Sequence, residues 1–505
     1  MVDLSIMLAG FSDALTMSNI LFVLFGVLVG QLVGAIPGIG PIMAMAIAIP
    51  FTFGLNPLAA IGFLVGVNKG GLVGGAVPAI LMNTPGTPDA AATALDGFPL
   101  AQQGKPLKAT KMALFSSITG DTISDIILIT VSAPLAILAL KMGPIEVFAL
   151  MIFTFSILAG LLDKSLAKGV IAVLLGLLFA TVGTAPEDYT PRLIFNHYEF
   201  YDGLPLPSVA IGMLAVAEIV RRLAHSDGKL RAAISHTHSN NPDDARISWA
   251  EYWGCRFTML RGAAIGTFLG ALPGVGSTAA AFMSYASAKH ASKDPDSFGK
   301  GNLHGIAAAE SANSAVMGAN LIPLLTLGIP GSVGAALIIS AFMIHGIQPG
   351  PLLFEEQGQL IYGLFGSMII ANFCNLWLGQ LGLRLWVKVV SAPESIIFVS
   401  AILLCIVGIY LSTGGLVGVY VMLFFAALGY LMTTFGYSVI LFIIAFFLEP
   451  RLETSLSQSL VLLNGDVSKV IYHPVAMSLL LLAAITLFWF IRKSMIPPPT
   501  RNNAN

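Results

Sequence analysis

Long apolar stretches separated by short polar connections run along almost the whole chain. Crossing roughly 30 Å of hydrocarbon as a helix takes about 20 residues. Stretches of roughly that length predict transmembrane helices near 20–36, 57–82, 112–139, 145–162, 166–184, 205–220, 303–327, 360–383, 395–411, 416–433 and 473–491. Shorter runs, typical of half-helices or re-entrant segments, lie near 41–53, 262–272, 278–288, 332–345 and 437–448. The pattern predicts an all-α polytopic membrane protein with about 11–12 transmembrane helices.

The composition agrees with a location in the lipid bilayer and excludes several other classes. Of the 505 residues, 56% are apolar and 10% are charged. In soluble domains about 25% of the residues are usually charged. A formal net charge of −1 offers no basic surface, so we expect no nucleic-acid partner. Cys255, Cys374 and Cys405 are too dispersed for a disulfide framework or a cysteine metal site.

Lys and Arg cluster in particular connections and so predict which side of the membrane each faces. The positive-inside rule places basic connections in the cytoplasm. Basic clusters lie at 105–111, 164–168, 221–246, 289–300, 384–388 and 492–493. Acidic or uncharged connections, assigned to the outside, lie at 186–203, 346–358, 412–415 and 449–470. The N-terminus is therefore expected outside and the C-terminus in the cytoplasm.

Two parts of the chain share a pattern of glycine and proline. Residues 26–40 read GVLVGQLVGAIPGIG, and residues 262–276 read GAAIGTFLGALPGVG. A second match aligns Asn68, Pro78 and Pro85-Gly86-Thr87 with Asn313, Pro323 and Pro330-Gly331-Ser332. Basic connections in one half correspond to connections without Lys or Arg in the other, which predicts inverted-topology repeats.

The repeats give a predicted domain organisation. Repeat 1 covers residues 18–220 and repeat 2 covers 255–470, with a cytoplasmic linker at 221–254 between them. Residues 471–505 hold a final transmembrane helix and a cytoplasmic tail. Inverted repeats are typical of secondary transporters, in which broken helices from both halves form the substrate site.

The Pro-Gly-x-Gly segments predict helix breaks inside the membrane. Unpaired backbone groups are tolerated there only where they line a cavity or bind a ligand. Helix N-termini at such breaks favour anions, so a carboxylate is the expected substrate. The predicted contacts at the breaks are Pro37, Gly38, Gly40, Pro85, Gly86, Thr87, Pro273, Gly274, Gly276, Ser277, Thr278, Pro330, Gly331 and Ser332. Asn68, Lys69 and Asn313 complete the predicted substrate-binding set.

Other features of these segments have simpler interpretations. Gly26, Gly30, Gly262 and Gly266 are interpreted as small residues that let helices pack closely. Neither Pro-Gly-x-Gly segment is followed by the Lys-Ser/Thr of a phosphate-binding loop, so nothing supports ATP-driven transport.

Four ionisable side chains stand out within the apolar segments. Lys69 is a candidate for anion binding, and the alternative is snorkelling or a buried ion pair. Asp121 and Asp125 lie one turn apart on one helix face, which suits cation or proton coupling and a scaffold role equally well. The predicted coupling residues are Asp121, Asp125, Glu310 and Asn313, with Na⁺ or H⁺ as the ion. Na⁺ at the helix breaks is one alternative; no other metal and no cofactor are expected.

Several segments together resemble the TctA family, the large membrane subunit of bacterial tripartite tricarboxylate transporters. They are GALPGVG, GAIPGIGP, NTPGTPDAAATALDG at 83–97 and GIAAAESANSAVMGANLIPLLTLGIPGS at 305–332. The resemblance covers about 18–490 and departs from the family at Ser314, where many relatives carry Asn. It implies an inner-membrane importer of tricarboxylates or related carboxylates by cation or proton symport. It also implies two partners, a small membrane subunit (TctB-like) and a periplasmic solute-binding protein (TctC-like).

Two alternatives from other classes stay open. An intramembrane enzyme needs a nucleophile beside a base, and the candidate bases His304 and His345 have no Ser-x-x-His or GxSxG context. A passive anion channel would use the same breaks without coupling, and accumulation of substrate above equilibrium would exclude it. We expect a transporter and not an enzyme.

Overall fold

The computed structural model is almost entirely helical. It describes residues 4–36, 40–162, 165–186, 189–224, 244, 246–272, 274–389 and 394–495. Two short strands, β1 (Gly183–Thr184) and β2 (Pro191–Arg192), pair antiparallel. Within these ranges, six helices are long and apolar enough to cross a membrane, and six shorter apolar helices accompany them. The chain is an all-α polytopic membrane protein, and this part of the prediction is confirmed.

The chain forms two compact units, and each takes segments from both predicted halves. The first unit contains residues 1–140 and 206–427. Its first segment holds α1 (Leu4–Ala14), α2 (Met17–Gly34), α3 (Pro41–Ala48), α4 (Pro57–Met82), α5 (Ala90–Gln102) and α6 (Pro106–Ala139). Its second segment holds α9 (Leu206–Ile211), α10 (Ala217–Ala224), α11 (Trp249–Gly254), α12 (Arg256–Gly270), α13 (Gly276–His290), α14 (Leu303–Ala319), α15 (Leu321–Leu327), α16 (Val333–Ile344), α17 (Leu353–Glu356), α18 (Gly358–Val389), α19 (Glu394–Thr413) and most of α20 (Leu416–Thr434).

The second unit contains residues 141–205 and 428–505. Its helices are α7 (Pro144–Leu162), α8 (Leu166–Ala180), α21 (Val439–Leu462) and α22 (Pro474–Met495). Within this unit Arg192 donates two hydrogen bonds to the Glu453 carboxylate, at 2.7 and 2.9 Å. Helix α21 continues past the apolar run at 437–448 and through Pro450, because later residues such as Leu452 and Glu453 are good helix formers. Part of the predicted outer connection at 449–470 is therefore helical.

Two rows of glycines bring pairs of helix backbones into contact. A methyl group on Gly30 would lie 2.2 Å from the carbonyl oxygen of Val67 on α4. On Gly266 it would lie 2.2 Å from the carbonyl oxygen of Ala312 on α14. Only glycine allows approaches this close, so α2 packs on α4 and α12 packs on α14 through small residues. Helices α4 and α14 are both almost completely buried, and both carry candidate site residues.

The ends of α4 are encoded locally. Asn56 accepts a hydrogen bond from the Ala59 backbone N–H at 2.9 Å, and Pro57 occupies the first helical position. Asn83 ends the helix in the left-handed conformation, with φ of 51°. The helix spans Pro57–Met82, the limits that the apolar pattern predicts.

The predicted span near 303–327 is not one continuous helix. Helix α14 ends at Ala319, and α15 begins at Leu321. Pro323 has no N–H to donate to the Ala319 carbonyl, and its ring crowds that carbonyl, so the helix breaks there. Gly328, with φ of 68°, then ends α15. The residues between the end of α15 and Ser332 form a short irregular segment.

Candidate functional site

Within each predicted half, two helix breaks lie against each other. In the first half, a methyl group on Gly40 would lie 2.8 Å from Cγ2 of Thr87. In the second half, the Gly274 N–H donates a 3.0 Å hydrogen bond to the Gly331 carbonyl. Gly274 has φ of 84°, in the left-handed region that favours glycine. The structure thus brings together Gly40 with Thr87, and Gly274 with Gly331.

The two halves meet at the N-terminus of α16. Ser332 caps this helix and accepts hydrogen bonds from the Ala335 N–H at 3.2 Å and from Asn320 Nδ2 at 3.0 Å. A methyl group on Gly334 would lie 3.4 Å from Asn68 Nδ2 and 3.8 Å from Ser332 Oγ. Asn68 and Ser332, which come from different predicted halves, therefore both lie next to Gly334.

An acidic residue that the sequence analysis missed lies at the centre of the predicted set. Asp89 follows the first-half break, directly before α5, and is only 5% exposed. Its carboxylate lies beside the side chains of Thr87, Ser277 and Asn313. Asp89 Oδ2 and Asn313 Oδ1 accept no hydrogen bond from the residues that the structure describes. Three predicted contacts, from both halves, converge on this one side chain.

Glu310 is the second carboxylate of this region and interacts electrostatically with Asp89. It is fully buried and accepts hydrogen bonds from Thr93 Oγ1 at 2.5 Å and Ser117 Oγ at 2.7 Å. Ser314 Oγ in turn donates to Ser117 Oγ at 2.9 Å. We refer to Asp89, Glu310 and Asn313 with their hydroxyl neighbours as the Asp89–Glu310 centre. Among the ion pairs of the described residues, none involves either carboxylate.

Lys69 belongs to a different centre. Its ammonium group donates to Asp125 Oδ2 at 2.7 Å and to Asn372 Oδ1 at 2.9 Å, and it lies 3.1 Å from Asp121 Oδ1. Two of the three ammonium donors are used in these hydrogen bonds, Asp121 completes the surroundings of the charge as an ion-pair partner, and the lysine is 2% exposed. The geometry favours the buried ion pair over anion binding by Lys69. We refer to Lys69, Asp121 and Asp125 as the Lys69 triad.

The Lys69 triad is fixed by amide side chains. Asn372 Nδ2 donates to Asp125 Oδ2 at 2.8 Å, so the amide bridges the lysine and the aspartate. Asn375 Nδ2 donates to the Lys69 carbonyl at 3.1 Å, and Gln31 Nε2 donates to Asn375 Oδ1 at 2.5 Å. The network joins α2, α4, α6 and α18 in the first unit. Asp121 and Asp125 therefore lie with Lys69 and not with Glu310 and Asn313.

The remaining predicted residues occupy the ends of the breaks. Gly86 packs against the break of α2, where an added methyl would lie 3.2 Å from the Gly34 carbonyl oxygen. Gly276, with φ of 73°, begins α13, and Thr278 lies in its first turn. Pro85 and Pro330 lie in the non-helical connections that follow α4 and α15. Pro37, Gly38 and Pro273 lie outside the described residues.

The charges around the breaks are of two kinds. Helices α3, α5, α13 and α16 all begin at these segments, and helix N-termini carry partial positive charge. Asp89 and Glu310 place two negative groups beside them. A region of this kind offers backbone donors to an anion and oxygen ligands to a cation.

Comparisons with known proteins agree with the family resemblance. The chain matches the family described as "Tripartite tricarboxylate transporter TctA family" over residues 20–444. It is 35% identical over 473 residues, 93% of each chain, to the Agrobacterium vitis "Uncharacterized 52.8 kDa protein in TAR-I ttuC' 3'region". It is 37% identical over 215 residues, 43% of this chain and 89% of the relative, to the Agrobacterium vitis "Uncharacterized protein in TAR-II ttuC' 3'region". No solved structure matches the chain.

Proposed function

Because the chain belongs to the tripartite tricarboxylate transporter TctA family and is a membrane transporter component, we propose that it is the large transport subunit of a tripartite importer. Its proposed substrates are tricarboxylates or related carboxylates, taken up by cation or proton symport. Its proposed location is the bacterial inner membrane, with the N-terminus in the periplasm and the C-terminus in the cytoplasm. The proposed partners are the small membrane subunit (TctB-like) and the periplasmic solute-binding protein (TctC-like).

The observation that carries the proposal is the convergence of Thr87, Ser277 and Asn313 on Asp89. A carboxylate substrate at the breaks would receive hydrogen bonds from helix N-termini and hydroxyl groups. The same substrate would be repelled by Asp89 and Glu310, which have no ion-pair partner among the described residues. A cation bound between them removes this repulsion, so anion and cation enter the site together. This mutual requirement is the physical basis of symport.

The oxygen atoms of the Asp89–Glu310 centre support Na⁺ as the ion bound there. Carboxylate, amide and hydroxyl oxygens are ligands of hard cations, and broken helices add backbone carbonyls. The unpartnered Asp89 Oδ2 and Asn313 Oδ1 are buried acceptors that such an ion would satisfy. This proposal keeps Glu310 and Asn313 as predicted coupling residues and adds Asp89 to them.

The proposal is tested by accumulation of radiolabelled citrate in cells that contain the chain with both partner proteins. We expect accumulation above equilibrium in an imposed Na⁺ gradient, which a passive channel cannot produce. At a Na⁺ concentration below saturation, Asp89→Asn should reduce the initial rate at least about tenfold, since a loss of about 1.4 kcal/mol in ion binding already lowers the Na⁺ affinity tenfold. Glu356→Gln, the same kind of change at an exposed acidic residue, is the matched control. Full accumulation by Asp89→Asn would remove the proposed role of this centre.

A further inference from the structure

The Lys69 triad contains one more negative charge than positive charges. Lys69 contributes one positive charge, and Asp121 and Asp125 contribute one negative charge each; all three side chains are at most 3% exposed. Of the elements packed against the triad, α18 presents the neutral amide of Asn372, and α14 presents Gly318 to Asp125 Oδ1. Glu310 on α14 binds Ser117, one turn before Asp121 on α6, and would add further negative charge. An uncompensated charge at this depth is strongly disfavoured.

The two aspartates of the triad are not equivalent. Asp125 Oδ2 accepts hydrogen bonds from Lys69 at 2.7 Å and from Asn372 at 2.8 Å. Asp121 Oδ1 lies 3.1 Å from the Lys69 ammonium group but accepts no hydrogen bond from any described residue. Hydrogen bonds to ionised groups favour the ionised form. Asp125 is therefore the counter-ion of Lys69, and the surplus charge lies on Asp121.

A proton suits this position better than a metal ion. A cation bound at Asp121 would lie close to the Lys69 ammonium group and would be repelled by it. A proton removes the charge by forming an O–H bond on the carboxylate and needs no further ligands. The Lys69 triad differs in this respect from the Asp89–Glu310 centre, where no basic side chain of the described residues pairs with the carboxylates.

We propose that Asp121 is a proton-binding site of this transporter, separate from the cation site at the Asp89–Glu310 centre. A hydronium ion transfers its proton to the Asp121 carboxylate and leaves as water, and the reverse transfer releases the proton. Helix α6 connects the two centres, because Ser117 contacts Glu310 and Asp121, one turn later, contacts Lys69. A movement of α6 that accompanies cation binding would change the surroundings of Asp121. The coupling part of the inference rests on the proposed function, whereas the presence of the proton does not.

Infrared spectroscopy of the purified full-length chain tests whether the proton is present. The wild-type spectrum should contain the C=O stretching band of a protonated carboxyl group. This band should be absent from the spectrum of Asp121→Asn. Asp125→Asn should lack the same band, because Asp121 then becomes the counter-ion of Lys69 and loses its proton. A band unchanged in Asp121→Asn would overturn the proposal, and so would a band retained in Asp125→Asn.

Two controls keep this test independent of folding. Asp121→Asn leaves the Lys69–Asp125–Asn372 hydrogen bonds intact, so its thermal unfolding midpoint should stay close to that of the wild type. Glu310→Gln changes a carboxyl group outside the triad, and the band assigned to Asp121 should remain in its spectrum. Loss of that band in Glu310→Gln would assign the proton to Glu310 and contradict the proposal.

Citrate uptake driven by a pH gradient tests the coupling. With both partners present, citrate uptake by Asp121→Asn should no longer be stimulated by a pH gradient. A Na⁺ gradient should still stimulate citrate uptake by this variant. If Asp121→Asn still responds to the pH gradient while Asp89→Asn loses Na⁺-driven uptake, the proton site is contradicted and the proposed function stands. If the wild type accumulates no citrate under either gradient, the citrate-import proposal fails, and the infrared result still decides whether Asp121 holds a proton.

Discussion

The Asp89–Glu310 centre and the Lys69 triad both bury two carboxylates in the first unit, yet their surroundings differ. In the triad, a lysine and an amide contact the carboxylates at 2.7–3.1 Å. In the Asp89–Glu310 centre, Glu310 has hydroxyl donors, whereas Asp89 Oδ2 has no hydrogen-bond partner among the described residues. Burial of a charge has to be balanced by a partner. In the triad, Lys69 compensates most of the negative charge from within the chain. In the Asp89–Glu310 centre, a bound cation has to supply the compensating positive charge.

Removal of the lysine should have the largest effect, because it takes away the internal balance of the triad. Lys69→Met leaves the charge of Asp125 without its counter-ion, and loss of one partner of a buried ion pair costs about 3–5 kcal/mol. We expect a sharp fall in thermal stability of the purified chain. Lys300→Met, at an exposed position, should unfold like the wild type. The double variant Lys69→Met/Asp125→Asn should recover part of the loss; if it recovers none, charge balance is not what the lysine provides.

The same Asp→Asn change should have opposite consequences for stability in the two centres. Asp125→Asn weakens charged hydrogen bonds to Lys69 and Asn372, and each is worth about 1.5–3 kcal/mol. Asp89→Asn removes a buried charge that has no ion-pair partner among the described residues, so the unfolding midpoint should stay the same or rise. Thermal unfolding of both variants in parallel, in Na⁺-free buffer, measures the contrast. Equal destabilisation would show that the centres do not differ in the proposed way.

Changes in the glycine rows should affect one centre at a time. Gly266→Ala forces α12 away from α14, which carries Glu310 and Asn313, and overpacking of this kind costs about 1–3 kcal/mol. Gly30→Ala forces α2 away from α4, which carries Lys69. We expect Gly266→Ala to weaken Na⁺ stimulation of uptake more than Gly30→Ala does at matched protein levels. Identical effects on Na⁺ stimulation would mean that the rows do not position the centres separately.

The smallest effect is expected at the N-terminus of α16. Ser332→Ala removes the cap that accepts from the Ala335 N–H, and loss of a cap costs about 1 kcal/mol. If Ser332 also contacts the carboxylate, the half-saturating citrate concentration should rise several-fold, whereas Ser332→Thr should preserve it. An unchanged half-saturating citrate concentration in Ser332→Ala would show that this serine caps α16 and does not contact the substrate.

The sequence predicts the helices well where both ends are encoded nearby. Helix α4 has Asn56-Pro57 at its start and Asn83 at its end, and its predicted and observed limits agree. Helix α5 escaped prediction because Asp96 and Pro99 interrupt its apolar run, although its alanines favour a helix. The break at Asn320 was missed because an apolar run says nothing about where a proline interrupts hydrogen bonding.

The site was predictable in its components but not in its arrangement. Thr87 and Ser277, predicted from the Pro-Gly motifs, and Asn313, predicted from the repeat, lie beside Asp89, and their part in substrate binding stays a prediction. Asp89 itself follows two prolines in a segment that resembles a loop, and its neighbours Ser277 on α13 and Asn313 on α14 lie far away in the chain. The partners of Lys69 lie 56 and 303 residues away in the chain, a pairing that periodicity in one sequence cannot reveal. The inverted repeat and the domain limits derived from it stay predictions.

The most direct test of the account is the thermal unfolding midpoint of the purified full-length chain with increasing NaCl, compared with choline chloride at equal ionic strength. A ligand that binds the folded state raises stability by about 2.7 kcal/mol at 100 times its dissociation constant. We predict that Na⁺ raises the midpoint of the wild type and of Asp121→Asn but not that of Asp89→Asn. An equal rise in Asp89→Asn, or no rise in the wild type, would contradict the claim that the Asp89–Glu310 centre binds the coupling cation.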